Sequence, residues 1–480
     1  MSKEILINIE TQEKRAAIVN NGRLEEFYIE RPQDKTIVGN IYKGKIEAVL
    51  PSIGAAFVDI GLPKKGFLYL SEIEYSFESL ETQSPRKMDQ IKKGQEVLVQ
   101  VVKESFGTKG PRLSCHIGIA GRYLVLMPQE NQVGVSRRIE DDDERRRLRG
   151  VLSELKLAKD IGFIVRTAAS GRSKRELQRD ADFLTKLWKR LEKAAQSKSA
   201  PALVYEEYDL TLRVIRDSFT EDVSKLIVDS KSEYYRIQNF MRTFLNYLRN
   251  KVELYKGDDL FEDKDIERQV NKIFETKVYM KSKGYIIIEP TEGLVVIDVN
   301  SGGFAKKLSQ EDTAFKVNCE AAIEAARQLI LRDLGGIIVI DFIDMEKEGH
   351  RREVLGTLKK ALNNDKAKYD ILGISKFGLV EMTRERVHRT VHTLSYQACP
   401  YCQGKGKVKS PVTMAIYALK ELRRLLKAKS PKQVNITLNH SVIEEILKDK
   451  ENLSFIERKF RTKINLISEP SMHMEDMKIG

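Results

Sequence analysis

Residues 284–303 read GYIIIEPTEGLVVIDVNSGG, and residues 334–345 read LGGIIVIDFIDM. Each holds a short β-branched run, and a Pro-Thr-Glu-Gly turn splits the first into two strands. The segment between them, EDTAFKVNCEAAIEAARQLILRDLGG, places apolar residues every three or four positions and stops at Gly335-Gly336, as a helix does. This predicts a strand, a crossover helix and a second strand in an α/β sheet. If the two strands are neighbours, a right-handed crossover brings Asp298 and Asp341 to the same edge, at the carboxyl ends where open α/β sheets place their sites. Two carboxylates there form a Mg²⁺ site, because Mg²⁺ takes one or two carboxylates and keeps several waters. Strand alternation puts Asn300 on the side of Asp298, where it can orient a water or a phosphate oxygen without adding charge. Asp344, three residues beyond Asp341, points to the other face if the strand continues, and is read as a supporting or structural residue.

At 480 residues the chain has room for about three domains. Lysine plus arginine exceed aspartate plus glutamate by 83 − 70 = 13. An excess of that size favours a polyanionic partner, nucleic acid before an anionic membrane. No apolar run is long enough to cross a bilayer, and the start, MSKEILINIETQ, alternates like a strand and lacks the apolar core of a secretory signal. The sequence thus reads as a soluble protein of a reducing cytoplasm, where a Cys-x-x-Cys pair binds metal and does not form a structural disulfide.

Residues 1–35 read as strands with a turn at Asn20-Asn21-Gly22. From Gly39, NIYKGKIEAVLPSIGAAFVDIGLPKKGFLYLSEI has the short, Gly-punctuated β segments of a small barrel. Phe57 and Phe67 flank its Gly61–Gly66 loop, and Lys103 and Lys109 follow. Aromatic rings beside lysines are how an OB-fold holds a single strand, bases on the rings and phosphates on the cations. Further on, GRYLVLMP reads as a strand, and DIGFIVRTAASG sets Arg166 and Thr167 between a strand and a helix N-terminus, a plausible phosphate cup. Residues 197–207 have linker composition, and DLTLRVIRDSFTEDVSKLIVDS reads as strand, helix, strand. A small α/β piece follows Gly406.

The stretch CPYCQGKG, residues 399–406, supplies Cys399 and Cys402 as two of the four ligands that a structural zinc requires. Cys115 and Cys319 sit in apolar runs and read as buried hydrophobes. The other two ligands come either from His388 and His392 or from the same pair in a second copy under two-fold symmetry.

Taken in order, the barrel with Phe57 and Phe67, GRYLVLMP, IVRTA, IDVNSG, LRDLGGIIVIDFIDM, ISKFGLVEMTRER and CPYCQGKG resemble the ribonuclease E/G family over essentially the whole chain. The length, without a long disordered tail, is most similar to the ribonuclease G side of that family. The resemblance implies an endoribonuclease that cuts single-stranded, A/U-rich RNA with Mg²⁺ on Asp298 and Asp341, assisted by Asn300, leaving a 5′-phosphate and a 3′-hydroxyl. It implies roles in ribosomal RNA maturation and mRNA decay, and stimulation by a 5′-monophosphate sensed at Gly121, Val125, Arg166 and Thr167. It implies an RNase H-like part (1–35 and 205–278), an OB-fold RNA-binding domain (36–120) and a sensor region (121–204). A DNase I-like catalytic part (279–397), a zinc link (398–408) and a small C-terminal domain (409–480) complete the chain. The zinc would be shared by Cys399 and Cys402 of two protomers, making a homodimer or a higher oligomer. Lys376 stands where the family often has arginine, which keeps the charge but loses bidentate phosphate geometry. The alternative reading is a non-catalytic RNA-binding scaffold, which needs no carboxylate pair.

Overall fold

A computed structural model describes residues 2–72, 91–105, 109–128, 133–136, 138–139, 141–158, 161–291, 293–303, 309–363, 365–375, 377–385, 396–429 and 431–480. The chain divides into two compact units, Met1–Leu394 and Ser395–Gly480. Lys376, His388 and His392 lie outside the described residues.

Six strands of the larger unit lie side by side in the order Lys277–Tyr279, Tyr285–Pro290, Leu294–Asn300, Gly336–Asp341, Leu379–Arg384 and Tyr369–Ile374. Leu294–Asn300 and Gly336–Asp341 run parallel, joined through the helix Gln310–Leu331, and the flanking pairs are antiparallel. The sheet is one-sided by sequence. Val295, Ile297 and Val299 are buried and alternate with the half-buried Val296, Asp298 and Asn300; Ile338 and Ile340 are buried too. They share a core with Ala321, Ala322, Ala325 and Leu329 of the helix, whose small side chains let helix and sheet approach closely. The Ser309 side chain caps the helix start by accepting from the Asp312 amide, and Asp333 ends it in the left-handed region at φ 47°. Helix Glu348–Leu362 contributes Val354, Leu358 and Leu362 to the same core. The other sheet face carries Asp298, Asn300 and Asp341 at its carboxyl end, beyond Val296, Ile337 and Val339.

Strand Ile41–Leu50 pairs with both Ala55–Asp59 and Glu96–Lys103, which closes a β-barrel around Ile46, Val58, Leu68, Val99 and Leu113. Ala202–Tyr205, read from composition as linker, adds a strand against Ile41–Lys43. A second sheet joins the N-terminal hairpin to residues far along the chain, since Lys3–Ile9 runs parallel to Val223–Val228. The segment before that strand departs from the strand–helix–strand reading: Leu210–Ser218 is a helix. Its apolar residues fit both periods, and Asp209 decides for helix by accepting from the Leu212 amide as N-cap. A third sheet, with strands Ile119–Ala120, Leu124–Met127, Val133–Val135 and Gly162–Val165, packs on helix Lys174–Ser197 through Leu177, Leu184 and Trp188.

Among the described residues the smaller unit has three strands, with Gln433–Leu438 in the centre, and helices Pro411–Ala428, His440–Lys448 and Lys450–Phe460. Among the described residues no helix is long and apolar enough to cross a membrane.

Candidate active site and RNA contacts

The parallel pairing sets Asp298 directly opposite Asp341 in register, at the carboxyl ends of adjacent strands. Adjacent strands lie about 4.8 Å apart, so the two carboxylates share one sheet edge. Asp341 is exposed and Asp298 half-buried. Asn300 Nδ2 donates to Asp298 Oδ2 at 2.7 Å, which fixes the carboxylate and leaves the amide oxygen of Asn300 to accept. The strand ends at Asp341, so alternation does not send Asp344 to the far face as the sequence suggested. Partial burial, then the carboxylates of Asp298 and Asp344, push the Asp341 carboxyl above its usual range.

This edge fits the expected cation. Among the described residues no Lys or Arg pairs with Asp298, Asp341 or Asp344. Nor do three His, Cys, Asp or Glu side chains among those residues form a closed ligand cage. Uncompensated carboxylates at an open edge suit a hard dication that keeps most of its water.

On the barrel, Phe57 and Phe67 are cross-strand partners with ring centroids 6.2 Å apart, edge to face at 74°. Tyr69 extends the row at 5.0 Å from Phe67, with the Arg112 guanidinium over its ring. The sequence reading missed Tyr69, although alternation from Phe67 points to it. Lys109 is exposed, and Lys103 pairs with Glu385 at 3.5 Å.

Gly121, Val125, Arg166 and Thr167 come together in the third sheet. The Arg166 amide donates to the Tyr123 carbonyl, and its guanidinium donates to Gly121 O and to Asp217 Oδ1, each at 2.6 Å. Val125 pairs with Ile164, two residues before Arg166, and Thr167 is exposed beside it. Asp180, missed by the sequence reading, braces the turn: buried on the helix Lys174–Ser197, it accepts from the amides of Arg122, Tyr123 and Leu124 at 3.2, 2.7 and 2.9 Å. Its signal was a charge on the apolar stripe of Leu177, Ala181 and Leu184. Only glycine fits at 121, because a Cβ there would stand 2.6 Å from Asp180 Oδ2. Asp217 was missed too. Burial raises its carboxyl, but Arg216 and then Arg166 outweigh burial and hold it well below the usual range.

In the smaller unit, Cys399 is exposed and Cys402 half-buried. Amides of Cys402 and Tyr401 pointing at the Cys399 sulfur lower its thiol pKa, and the Gly406 amide donates to Cys402 Sγ at 3.3 Å. Gln403 and Gly404, at φ 52° and 84°, make the tight turn that this requires. Such amides favour thiolates, the form that binds zinc, so the knuckle fits the metal. Cys115 is buried, which pushes its thiol up to about 12, and Cys319 packs against the hydrophobic core of the six-stranded sheet. Cys115 is the buried hydrophobe that its sequence context indicates, whereas Cys319 is half-buried.

Residues 118–387 match the Ribonuclease E/G family, 35–116 the S1 RNA binding domain, and 398–480 the RNase E/G, Thioredoxin-like domain. Ribonuclease G of Escherichia coli (strain K12) is 39% identical over 464 residues, 95% of this chain and 94% of the relative. Ribonuclease G of Haemophilus influenzae is 37% identical over 457 residues, 94% and 93% of the two chains. Ribonuclease E of Escherichia coli (strain K12) is 39% identical over 461 residues, 94% of this chain but 43% of that longer protein. With the barrel and the carboxylate edge in the order the motifs require, this chain belongs to the ribonuclease E/G family.

Proposed function

We propose that this chain is an endoribonuclease that cuts single-stranded, A/U-rich RNA at the edge formed by Asp298 and Asp341, prefers a 5′-monophosphate, and serves ribosomal RNA maturation and mRNA decay. The observation that carries the reading is the register of the two aspartates, which a non-catalytic RNA-binding scaffold has no use for. Mg²⁺ held by Asp298 and Asp341 would polarise the scissile phosphate and supply hydroxide near neutral pH, giving 5′-phosphate and 3′-hydroxyl ends. Asn300 orients Asp298 through its 2.7 Å hydrogen bond. Phe57 and Phe67 stack bases, and Lys109 meets the backbone between them. Arg166 and Thr167 take the 5′-phosphate, on a turn shaped by Gly121 and Val125; Asp344 and Lys376 are assigned supporting roles. In this reading the sheet of 1–35 and 205–278 is the RNase H-like part, and 279–397 the DNase I-like part.

Cys399 and Cys402 would hold half of a zinc site, completed by a second protomer, so that a dimer carries one zinc. The free thiols support a reducing cytoplasm. Metal analysis tests the link: half a zinc per chain is expected, with weaker dimers in Cys399→Ser or Cys402→Ser. A full zinc per chain would implicate His388 or His392 instead. Cleavage of matched 5′-monophosphate and 5′-hydroxyl oligonucleotides, with and without Mg²⁺, tests the activity. Mg²⁺-dependent cutting with the phosphorylated substrate preferred is expected; RNA binding without cutting would favour the scaffold.

A further inference from the structure

Past Asp341 the chain leaves the sheet and forms one wall of a cavity that the carboxylate pair does not use. Phe342, Asp344 and Met345 line it together with Arg351, Phe377 and Gly378, around a volume of about 240 Å³. It adjoins the proposed cutting edge. Asp341 pairs with Leu379, so Phe377 stands two residues from the aspartate's cross-strand partner, a span of roughly 7 Å along the chain.

Both walls are held from behind. Buried Asn318 donates to the Ile343 carbonyl at 2.8 Å and accepts from the Ile343 amide at 3.0 Å. Across the cavity, the Gly378 amide donates to Ser375 O at 3.1 Å with Gly378 at φ 83°, and the Phe377 amide donates to Ser375 Oγ at 3.3 Å. This turn presents the Phe377 ring at 86% exposure. An aromatic ring this exposed beside a polar cavity is not core packing.

The polar groups are also uncommitted. Arg351 Nε donates to the Met345 carbonyl at 2.7 Å, while its terminal nitrogens have no hydrogen-bond partner among the described residues. The Asp344 carboxylate has no ion-pair partner among those residues. One aromatic face, one donor fork and one acceptor thus surround a space below the ~300 Å³ at which drug-sized pockets begin, and suited to one flat ring.

We infer that this cavity is a nucleobase subsite, taking one base that flanks the scissile phosphate. The inference rests on reading the neighbouring edge as the cutting site. The base stacks on Phe377, Arg351 donates to its carbonyl or ring nitrogen, and Asp344 accepts from an exocyclic amino group. Adenine and cytosine offer both functions side by side, whereas uracil has no amino group for Asp344. Phe377 and Arg351 are positioning residues for the RNA and take no part in bond making.

Steady-state cleavage of a set of oligonucleotides, each with one abasic nucleotide at a different position around the cut, tests this with the full-length protein. On the intact RNA, Phe377→Ala is expected to raise KM by about 5- to 150-fold, the range of one lost base stack, with kcat nearly unchanged. Phe377→Tyr should restore the wild-type KM. On the oligonucleotide abasic at the subsite position, and on no other, wild type and Phe377→Ala should have the same KM. Asp344→Asn, whose amide can also donate to a uracil carbonyl, should weaken discrimination between adenine and uracil at that position. A KM indifferent to Phe377→Ala, or a penalty equal on every abasic substrate, overturns the subsite while leaving the cutting edge in place. A wild-type protein that cuts no RNA overturns the edge, and the subsite with it.

Discussion

Replacing Arg166 by alanine separates a phosphate sensor from a structural arginine. The guanidinium is held by Gly121 O and Asp217 Oδ1, both at 2.6 Å, so it is orientated before any RNA arrives. Its removal does not strand Asp217, because Arg216 also donates to that carboxylate, at 3.0 and 3.1 Å. The fold should therefore survive, and the loss should fall on the ligand. A hydrogen bond to a charged group contributes about 1.5–3 kcal/mol, which converts to a roughly 10- to 150-fold change. The ratio of kcat/KM for 5′-monophosphorylated over 5′-hydroxylated oligonucleotide should fall by that factor, with cleavage of the hydroxylated RNA retained. Arg166→Lys should recover part of the ratio, since it keeps the charge but loses the fork. Equal loss on both substrates with an unchanged ratio would refute the sensor and leave Arg166 a general RNA contact or a folding element.

Arg384 is 4% exposed and ion-paired to Asp365 at 2.6 Å and Asp333 at 2.8 Å. Arg384→Met takes the buried Asp365 carboxylate's ion-pair partner away and should cost about 3–5 kcal/mol in urea unfolding, with Asp365→Asn recovering part of it. A loss under 1 kcal/mol, on the scale of an exposed pair, would show the cluster to be solvated. Asp209 supplies a pH signature: burial raises its carboxyl, but Arg236 and Lys14 outweigh burial and hold it at about 2. The folded pKa lies below the unfolded value of about 3.9, so this stabilisation is present above pH ~4 and is lost as pH falls towards 2. Asp209→Asn should flatten the stability profile in that window, and an unaltered acid limb would contradict the pairing. On the barrel, Phe67→Ala should weaken single-strand binding by about 5- to 150-fold with the salt slope kept, whereas Lys109→Ala should lower that slope by about 0.7; the reverse pattern would exchange their roles.

The carboxylate edge was legible because its logic is local. Alternating Val295, Ile297 and Val299, the capped helix and a parallel register are each written in contiguous residues. Where two periods fitted the same letters, as in Leu210–Ser218, one N-cap hydrogen bond decided the outcome, and composition could not weigh it. Ala202–Tyr205 forms a strand because the edge of Ile41–Lys43 is open to it, a fact about a partner some 160 positions away. The same holds for Asp217 on Arg166 and for Arg384 with Asp333 and Asp365, whose members come from different elements. The face of Asp344 was not legible, because alternation does not carry past Asp341, where the strand ends.

The central claim is that Asp298 and Asp341 form the cutting edge, and the double variant Asp298→Ala with Asp341→Ala tests it most directly. Both side chains are outside the core, so the variant should fold and bind single-stranded RNA as the wild type does. Mg²⁺-dependent cleavage of a 5′-monophosphorylated RNA should disappear. Cleavage persisting at the wild-type rate would place the chemistry elsewhere in the chain.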